Sequence, residues 1–182
     1  VDIGSSTGGF TDCALQNKAK RVYAVDVGTN QLVWKLRNDS RVVVKEKTNF
    51  RHATTDLFEY ELPNIATIDV SFISLKLIFE PLKDILNDGD DIVALIKPQF
   101  EAGREDVGKK GIVKDAKIHQ RVIENVISYA NECQFSIQNL TYSPITGGEG
   151  NIEFLAHFKV GGTNSLLQVE QVVQEAHDCF KG

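Results

Sequence analysis

Val1-Asp-Ile-Gly-Ser-Ser-Thr-Gly-Gly-Phe-Thr11 decides the fold of this chain. Val1 to Ile3 has the character of a buried strand, Gly4 breaks it, and after Gly8 and Gly9 a helical pattern starts near Phe10. A strand, a loop of small residues and a helix N-terminus together present backbone N–H groups to a ligand. The loop has no Lys of the phosphate-cradling kind, which argues against a nucleoside triphosphate. Its Gly-x-x-x-Gly-Gly spacing also differs from the Gly-x-Gly-x-x-Gly of dinucleotide sites. Asp2, two residues before Gly4, with Gly8 and Gly9 beyond, suits a compact ligand with an amino-acid end. S-adenosylmethionine meets that description. The same letters also suit an ordinary turn of a parallel α/β protein.

Downstream, short apolar runs alternate with helical patterns. Val22–Val25 is a strand ending in Asp26, and Asn30 is placed to cap a helix carrying Leu32, Trp34 and Leu36. Val42–Val44 and Ile65–Ile68 are further strands, the second ending in Asp69. A long helical pattern follows through Leu75, Leu82, Ile85 and Leu86, with Pro81 as a possible kink. Asp91–Ile96 is a fifth strand, ending in Lys97-Pro98. Residues 99–113 are polar and glycine-containing and read as a long loop, the kind that more often than not has a function. Asp115 can cap a helix with the stripe Ile118, Val122, Val126, Ala130. Phe135–Ser143 and Asn151–Lys159 are then joined by a turn-rich link too short for a crossover helix, so they form an antiparallel hairpin. A last helix carries Leu166, Val169, Val173, Ala176 and Phe180.

Strand–helix alternation with continuous apolar strands predicts a parallel sheet covered on both faces. The expected fold is α/β and Rossmann-like, a mostly parallel seven-stranded sheet ending in an antiparallel hairpin with helices on both faces. That is the layout of class I S-adenosylmethionine-dependent methyltransferases. Ligands of doubly wound sheets lie at the carboxyl ends of the strands. Gly4, Asp26, Asn49, Asp69 and Lys97 all fall there.

Bulk properties narrow the class. A chain of 182 residues suffices for one well-buried α/β domain. It has no apolar run of membrane-span length and no signal segment. Cys13, Cys133 and Cys179 are odd in number and far apart, and with His52, His119, His157 and His177 they make no metal spacing. A reducing cytoplasm and no metal are therefore expected. Because the chain starts inside the first core strand and contains no Met, an N-terminal part is expected to be missing. The net charge of −5 argues mildly against nucleic acid, but its distribution does not. Residues 18–51 hold nine Lys/Arg against three acids, and residues 97–121 hold seven against four. This fits a basic face on an acidic protein, and equally a mixture of solvated helix faces.

Five motifs in order carry a family resemblance: Asp2–Asp12, Ala24–Gly28 with Gln31-Leu and Trp34-Lys-Leu, Ile68–Leu75, Leu95–Arg104, and Gly150-Asn-Ile-Glu-Phe154. They resemble the TlyA family of FtsJ-like ribosomal RNA methyltransferases, long labelled haemolysins, up to about Lys159. Members of that family carry an RNA-binding domain before the methyltransferase domain. The resemblance implies a single methyltransferase domain over 1–182, with its N-terminal edge and that upstream domain missing. It also implies a Lys-Asp-Lys-Glu tetrad for ribose 2′-O-methylation. Asp69, Lys97 and Glu153 match its last three members, and the first Lys has no counterpart, its place lying before Val1. On the cofactor side, Gly4, Ser5, Ser6, Thr7 and Gly8 would hold the methionine end of S-adenosylmethionine. Asp26 would take the ribose, Asn49 would approach the adenine, and Asp69 would line the methyl site.

The chemistry stands without the family. A ribose hydroxyl is a poor nucleophile while protonated, so the site must hold it in line and help remove its proton. A strand-end Lys97 can do this, with Asp69 and Glu153 orienting it. The expected partner is ribosomal RNA or a ribosomal subunit, met by the face carrying Arg104, Lys109, Lys110 and Lys114, with no membrane involved. Phe72 and Phe100 could stack on a flipped nucleotide, although packing is the expectation for both, as it is for Trp34. The competing functions are an inactive RNA- or ribosome-binding module, a small-molecule methyltransferase, and a membrane-lytic haemolysin. The absence of a span or of a strongly basic amphipathic helix opposes the last.

Overall fold

The computed structural model describes residues 1–181. Its seven strands are β1 (Asp2–Ile3), β2 (Val22–Val25), β3 (Val42–Lys45), β4 (Ile65–Ile68), β5 (Asp91–Ile96), β6 (Phe135–Tyr142) and β7 (Phe154–Val160). They form one sheet in the order β3-β2-β1-β4-β5-β7-β6. The first five run parallel, and β7 enters antiparallel between β5 and β6. This is the expected class I methyltransferase layout. β2, β4 and β5 keep the bounds that their apolar runs predict.

The alternation of β2 shows how the two faces are covered. Val22 and Ala24 join Leu15, Leu32 and Leu36 in a small cluster beneath α1 (Gly9–Gln16) and α2 (Trp34–Arg37). Tyr23 and Val25 face the main core. That core is filled by α3 (Leu75–Leu82), α5 (Ala116–Glu132) and α6 (Val169–Cys179). Helices therefore lie on both faces, but cover is uneven. Over β4 and β5 the residues opposite the main core, Ile65, Thr67, Val93 and Leu95, stay half-buried or exposed.

Local chemistry explains where the helices begin and end. The Asp115 side chain accepts from the Lys117 N–H at 2.8 Å and starts α5. Its buried face is His119, Val122, Ile123, Val126 and Ala130, one helical stripe. α3 stops at Leu82, one residue after Pro81, and does not run on kinked; Ile85 and Leu86 are buried beyond its end. The helix expected from Asn30 is shorter, four residues from Trp34, because Asn30 takes a left-handed φ of 57° outside it. Trp34 is 77% exposed, not core. The last helix begins at Val169, which leaves Leu166 in solvent. β7 starts at Phe154, because residues 147–151 close a turn in which Gly147 N–H bonds the Asn151 carbonyl at 2.7 Å.

Candidate active site

Sheet register places the site. Ile3 pairs with Val25 on one side and Ile68 on the other. Gly4, Asp26 and Asp69, the next residue of each chain, therefore leave the sheet side by side. β5 runs two residues further than β4, since Ile68 pairs with Ala94. Ile96 pairs with Phe154, so Lys97 and Glu153 leave β5 and β7 together, just beyond Asp69.

A cleft of about 360 Å³ opens over the first group, within the range of small-molecule sites. Gly4, Ser6, Asp26, Asn49 and Asp69 line it. Both oxygens of Asp26 hold the loop: Oδ2 accepts from Ser6 N–H at 2.8 Å and Oδ1 from Gly28 N–H at 2.9 Å. Gly4 is at φ 78°, and an added Cβ there would overlap the Asp69 backbone oxygen. Ser5, Thr7 and Gly8 are not among the residues that line this cleft, and Thr7 is exposed. Ser5 is buried, and its N–H bonds the Val25 carbonyl. The Thr7 carbonyl accepts from Val33 N–H. At Gly8 a Cβ would collide with Leu36 and Leu32, so the glycine makes room for those two side chains. Asp2 is also internal, accepting from Thr11 Oγ1 at 2.7 Å and Thr67 Oγ1 at 3.2 Å, and burial raises its carboxyl. Asn49 caps a short 3-10 turn through Arg51 N–H while lining the cleft. The sequence reading missed Gln31, Thr48 and Ser71 as lining residues. Gln31 and Ser71 sit inside the quoted motifs, and Thr48 adjoins Asn49.

Lys97 Nζ lies 2.6 Å from Asp69 Oδ1 and 3.3 Å from Ser71 Oγ. Its charged neighbour is thus a carboxylate. Glu153 is 8% exposed and accepts from Gln99 Nε2 at 3.0 Å. Burial pushes its carboxyl up, the Gln99 hydrogen bond and Lys97 pull it down, and Asp69 pushes it up. Asp69, Lys97 and Glu153 therefore share one electrostatic neighbourhood. Nearby in sequence, Glu101 accepts from Ser74 Oγ at 2.7 Å and Leu75 N–H at 2.8 Å, and burial raises it. It ties the segment after β4 to α4 (Pro98–Glu101) after β5. Only a three-dimensional contact could have revealed that role.

A second cleft of about 690 Å³ adjoins the first through Asn49 and Phe72. Arg51, Phe72, Phe100 and Arg104 line it. Phe72 is not packed in the core: it is 89% exposed at φ 64°, with its ring 4.8 Å from that of Phe100. Lys109, Lys110 and Lys114 surround a separate hollow. The four expected RNA-facing cations therefore fall into two groups, with Arg104 beside the aromatic pair.

Among the described residues, no helix is long and apolar enough to cross a membrane. The family model described as FtsJ-like methyltransferase matches residues 1–160. The chain is 57% identical over 187 residues to "Putative rRNA methyltransferase YqxC" of Bacillus subtilis, covering all of this chain and 66% of that protein. It is 41% identical over 154 residues to the 16S/23S rRNA (cytidine-2′-O)-methyltransferase TlyA of Mycobacterium tuberculosis, covering 85% of this chain and 57% of that protein. The chain thus spans two thirds or less of the length of these curated relatives. A solved structure, "Putative hemolysin from Streptococcus thermophilus", superposes with a TM-score of 0.96 at 56% identity, over 99% of this chain and 66% of that one.

Proposed function

This chain belongs to the FtsJ-like methyltransferase family, and on that premise we propose that it methylates the 2′-hydroxyl of a ribose in ribosomal RNA. The observation that carries the reading is the convergence of Asp69, Lys97 and Glu153 beside the cleft lined by Gly4 and Asp26. Bound S-adenosylmethionine supplies the activated methyl carbon. The cleft suits it: an acid at the end of β2 for a ribose, a close-packed glycine turn at Gly4, and a volume of small-molecule size.

Lys97, in its neutral form, would accept the proton of the 2′-hydroxyl while that oxygen takes the methyl group and the carbon–sulfur bond of the bound cofactor breaks. Asp69 orients Lys97 through the 2.6 Å contact, and Glu153 supports it from the other side. Phe72, exposed and backed by Phe100, offers a face to the flipped base. Arg51, Arg104 and the loop lysines meet phosphates. One observation favours a second role for Lys97. Its contact joins an ammonium to a carboxylate, which suits a charge that holds the acceptor oxygen rather than a base.

Mass-spectrometric mapping of ribose methylation, in cells with and without the gene, tests the function. No ribose methyl lost on deletion would refute it. Lys97→Ala should lower the single-turnover rate by ~10²–10⁴-fold with cofactor binding intact. Lys97→Arg separates the two roles, since a guanidinium gives up no proton near neutral pH. A rate near wild type would leave Lys97 as a positioning charge.

A further inference from the structure

We propose that Gln99 and Gly147 form the seat of the Glu153 carboxylate and are positioning residues for the methyl transfer. This rests on the reading of Glu153 given above. Two observations from different parts of the chain meet at this carboxylate.

Gly147 lies in the turn before β7, at φ −86° and ψ −159°. That is extended backbone open to any residue, so the glycine is not required by conformation. What it provides is space: the Glu153 carboxyl occupies the position of its absent side chain, and would have to move if a Cβ were added. A Cβ at 147 would stand 2.5 Å from Glu153 Cδ and overlap its Oε2. Nearby Gly150 is the opposite case: its φ is +82° and a Cβ there meets nothing within 4 Å. The turn cannot simply yield. Asn151 is buried; its Oδ1 accepts from Val113 N–H at 2.9 Å, and its Nδ2 donates to the carbonyls of Gly111 and Gly148.

Gln99 closes the other side. It follows Lys97 by two residues and donates Nε2–H to Glu153 Oε2 at 3.0 Å. Its Oε1 is the one buried side-chain oxygen or nitrogen without a partner among the described residues. An orphaned acceptor calls for an explanation. Rotating the amide would set Oε1 against Glu153 Oε2, two acceptors in contact whenever Glu153 is ionised. The amide orientation is one that suits an ionised Glu153, and it leaves Oε1 without a partner. A donor to the carboxylate favours the charged form. Here it works with Lys97 against burial and Asp69, the charged groups that Glu153 feels.

The test uses the protein expressed from its own gene. Single-turnover transfer to ribosomal subunits is followed across the acid limb of the pH profile. Calorimetric binding of S-adenosylhomocysteine checks that each variant is folded. Gly147→Ala should keep cofactor affinity and lose about 10- to 100-fold in rate, the scale of a small misplacement. Gly148→Ala, where a Cβ meets nothing within 4 Å, should match wild type. Gln99→Leu should move the acid limb to higher pH, with the rate recovering above it. Carbon-13 titration of the Glu153 carboxyl should show the same upward move. Equal rates for Gly147→Ala and Gly148→Ala, or an unmoved Glu153 titration in Gln99→Leu, would overturn the seat. If the wild-type protein methylates no ribosomal RNA, the functional reading fails on its own, and the Glu153 titration still decides the seat.

Discussion

Gly4 is where the glycine loop can be tested as physics. It follows β1 at φ 78° and donates its N–H to the Val25 carbonyl at 2.9 Å. Gly4→Ala meets two obstacles. A non-glycine residue in the left-handed region costs about 1–2 kcal/mol. The new Cβ would stand 2.9 Å from the Asp69 carbonyl carbon and overlap the oxygen. These are backbone atoms with no rotamer to escape into, and overpacking of that kind costs about 1–3 kcal/mol. Together the loss is about 2–5 kcal/mol, a large part of the roughly 5–15 kcal/mol of an ordinary domain. The strain has one outlet, parting β1 from β4 where Asp69 leaves the sheet. Cofactor affinity should fall with stability.

Gly9→Ala is the control. Gly9 opens α1, has no left-handed φ, and a Cβ there meets nothing within 4 Å. Alanine should stabilise it by about 0.4–1 kcal/mol through the unfolded chain. Urea unfolding, with calorimetry of S-adenosylhomocysteine binding, measures both variants. Gly4→Ala within about 0.5 kcal/mol of wild type, the scale of an inert surface change, would refute the reasoning. So would a Gly9→Ala variant as damaged as Gly4→Ala.

Asp26→Ala should weaken cofactor binding by about 1–3 kcal/mol, since it removes a charged acceptor and frees the Ser6 and Gly28 N–H groups; unchanged affinity by calorimetry would take Asp26 out of the site. Neutralising Lys109 and Lys110 together should lower the salt slope of RNA binding by roughly one unit for each phosphate that either lysine pairs with; an unchanged affinity and slope would move the RNA face elsewhere. His119 is buried between the Val113 carbonyl and His177, each at 2.8 Å, and burial pulls it below its ordinary 6.5. The unfolded chain then binds the extra proton first, so His119 contributes its full stability above pH 6.5 and loses it as pH falls below. Urea midpoints should drop in that window, and His119→Gln should flatten the drop; an equally steep drop in the variant would assign it to other groups.

What the sequence conveyed follows from what each signal measures. Apolar runs mark the strands, and β2, β4 and β5 start and stop where those runs do, although only β2 among these three is buried on both faces. Strand ends then locate Gly4, Asp26, Asp69 and Lys97 with no knowledge of contacts. Apolar spacing was less sure around α2. Leu32 and Leu36 do pack beneath it, yet Trp34 between them faces solvent, because size and hydrophobicity do not say which way a side chain points. The small residues of the loop were alike as letters and unlike in role. Gly4 clears a neighbouring strand, Gly8 clears two leucines, and Ser6 alone among residues 5 to 8 lines the cleft. Gln99 and Gly147 were invisible, since each acquires meaning only from a carboxylate distant in sequence.

The antiparallel hairpin is what completes the site. A parallel strand beside β5 would bring its own carboxyl end there, and the residues following it would lead into a crossover helix. An antiparallel β7 presents its N-terminal end instead, so the residues beside Lys97 are those that precede the strand. Ile96 pairs with Phe154, which sets Glu153 next to Lys97 with no insertion or bend. It also brings the 147–151 turn over the same spot, and through Asn151 the turn grips Gly111 and Val113 at the edge of the lysine loop. One reversal of strand direction thus delivers the acid, the glycine that makes room for it, and an anchor for the loop that carries the lysines. A register slip of one residue in β7 would point Glu153 to the other face. The antiparallel pairing of β5 with β7 is therefore as much a part of the site as the side chains it aligns.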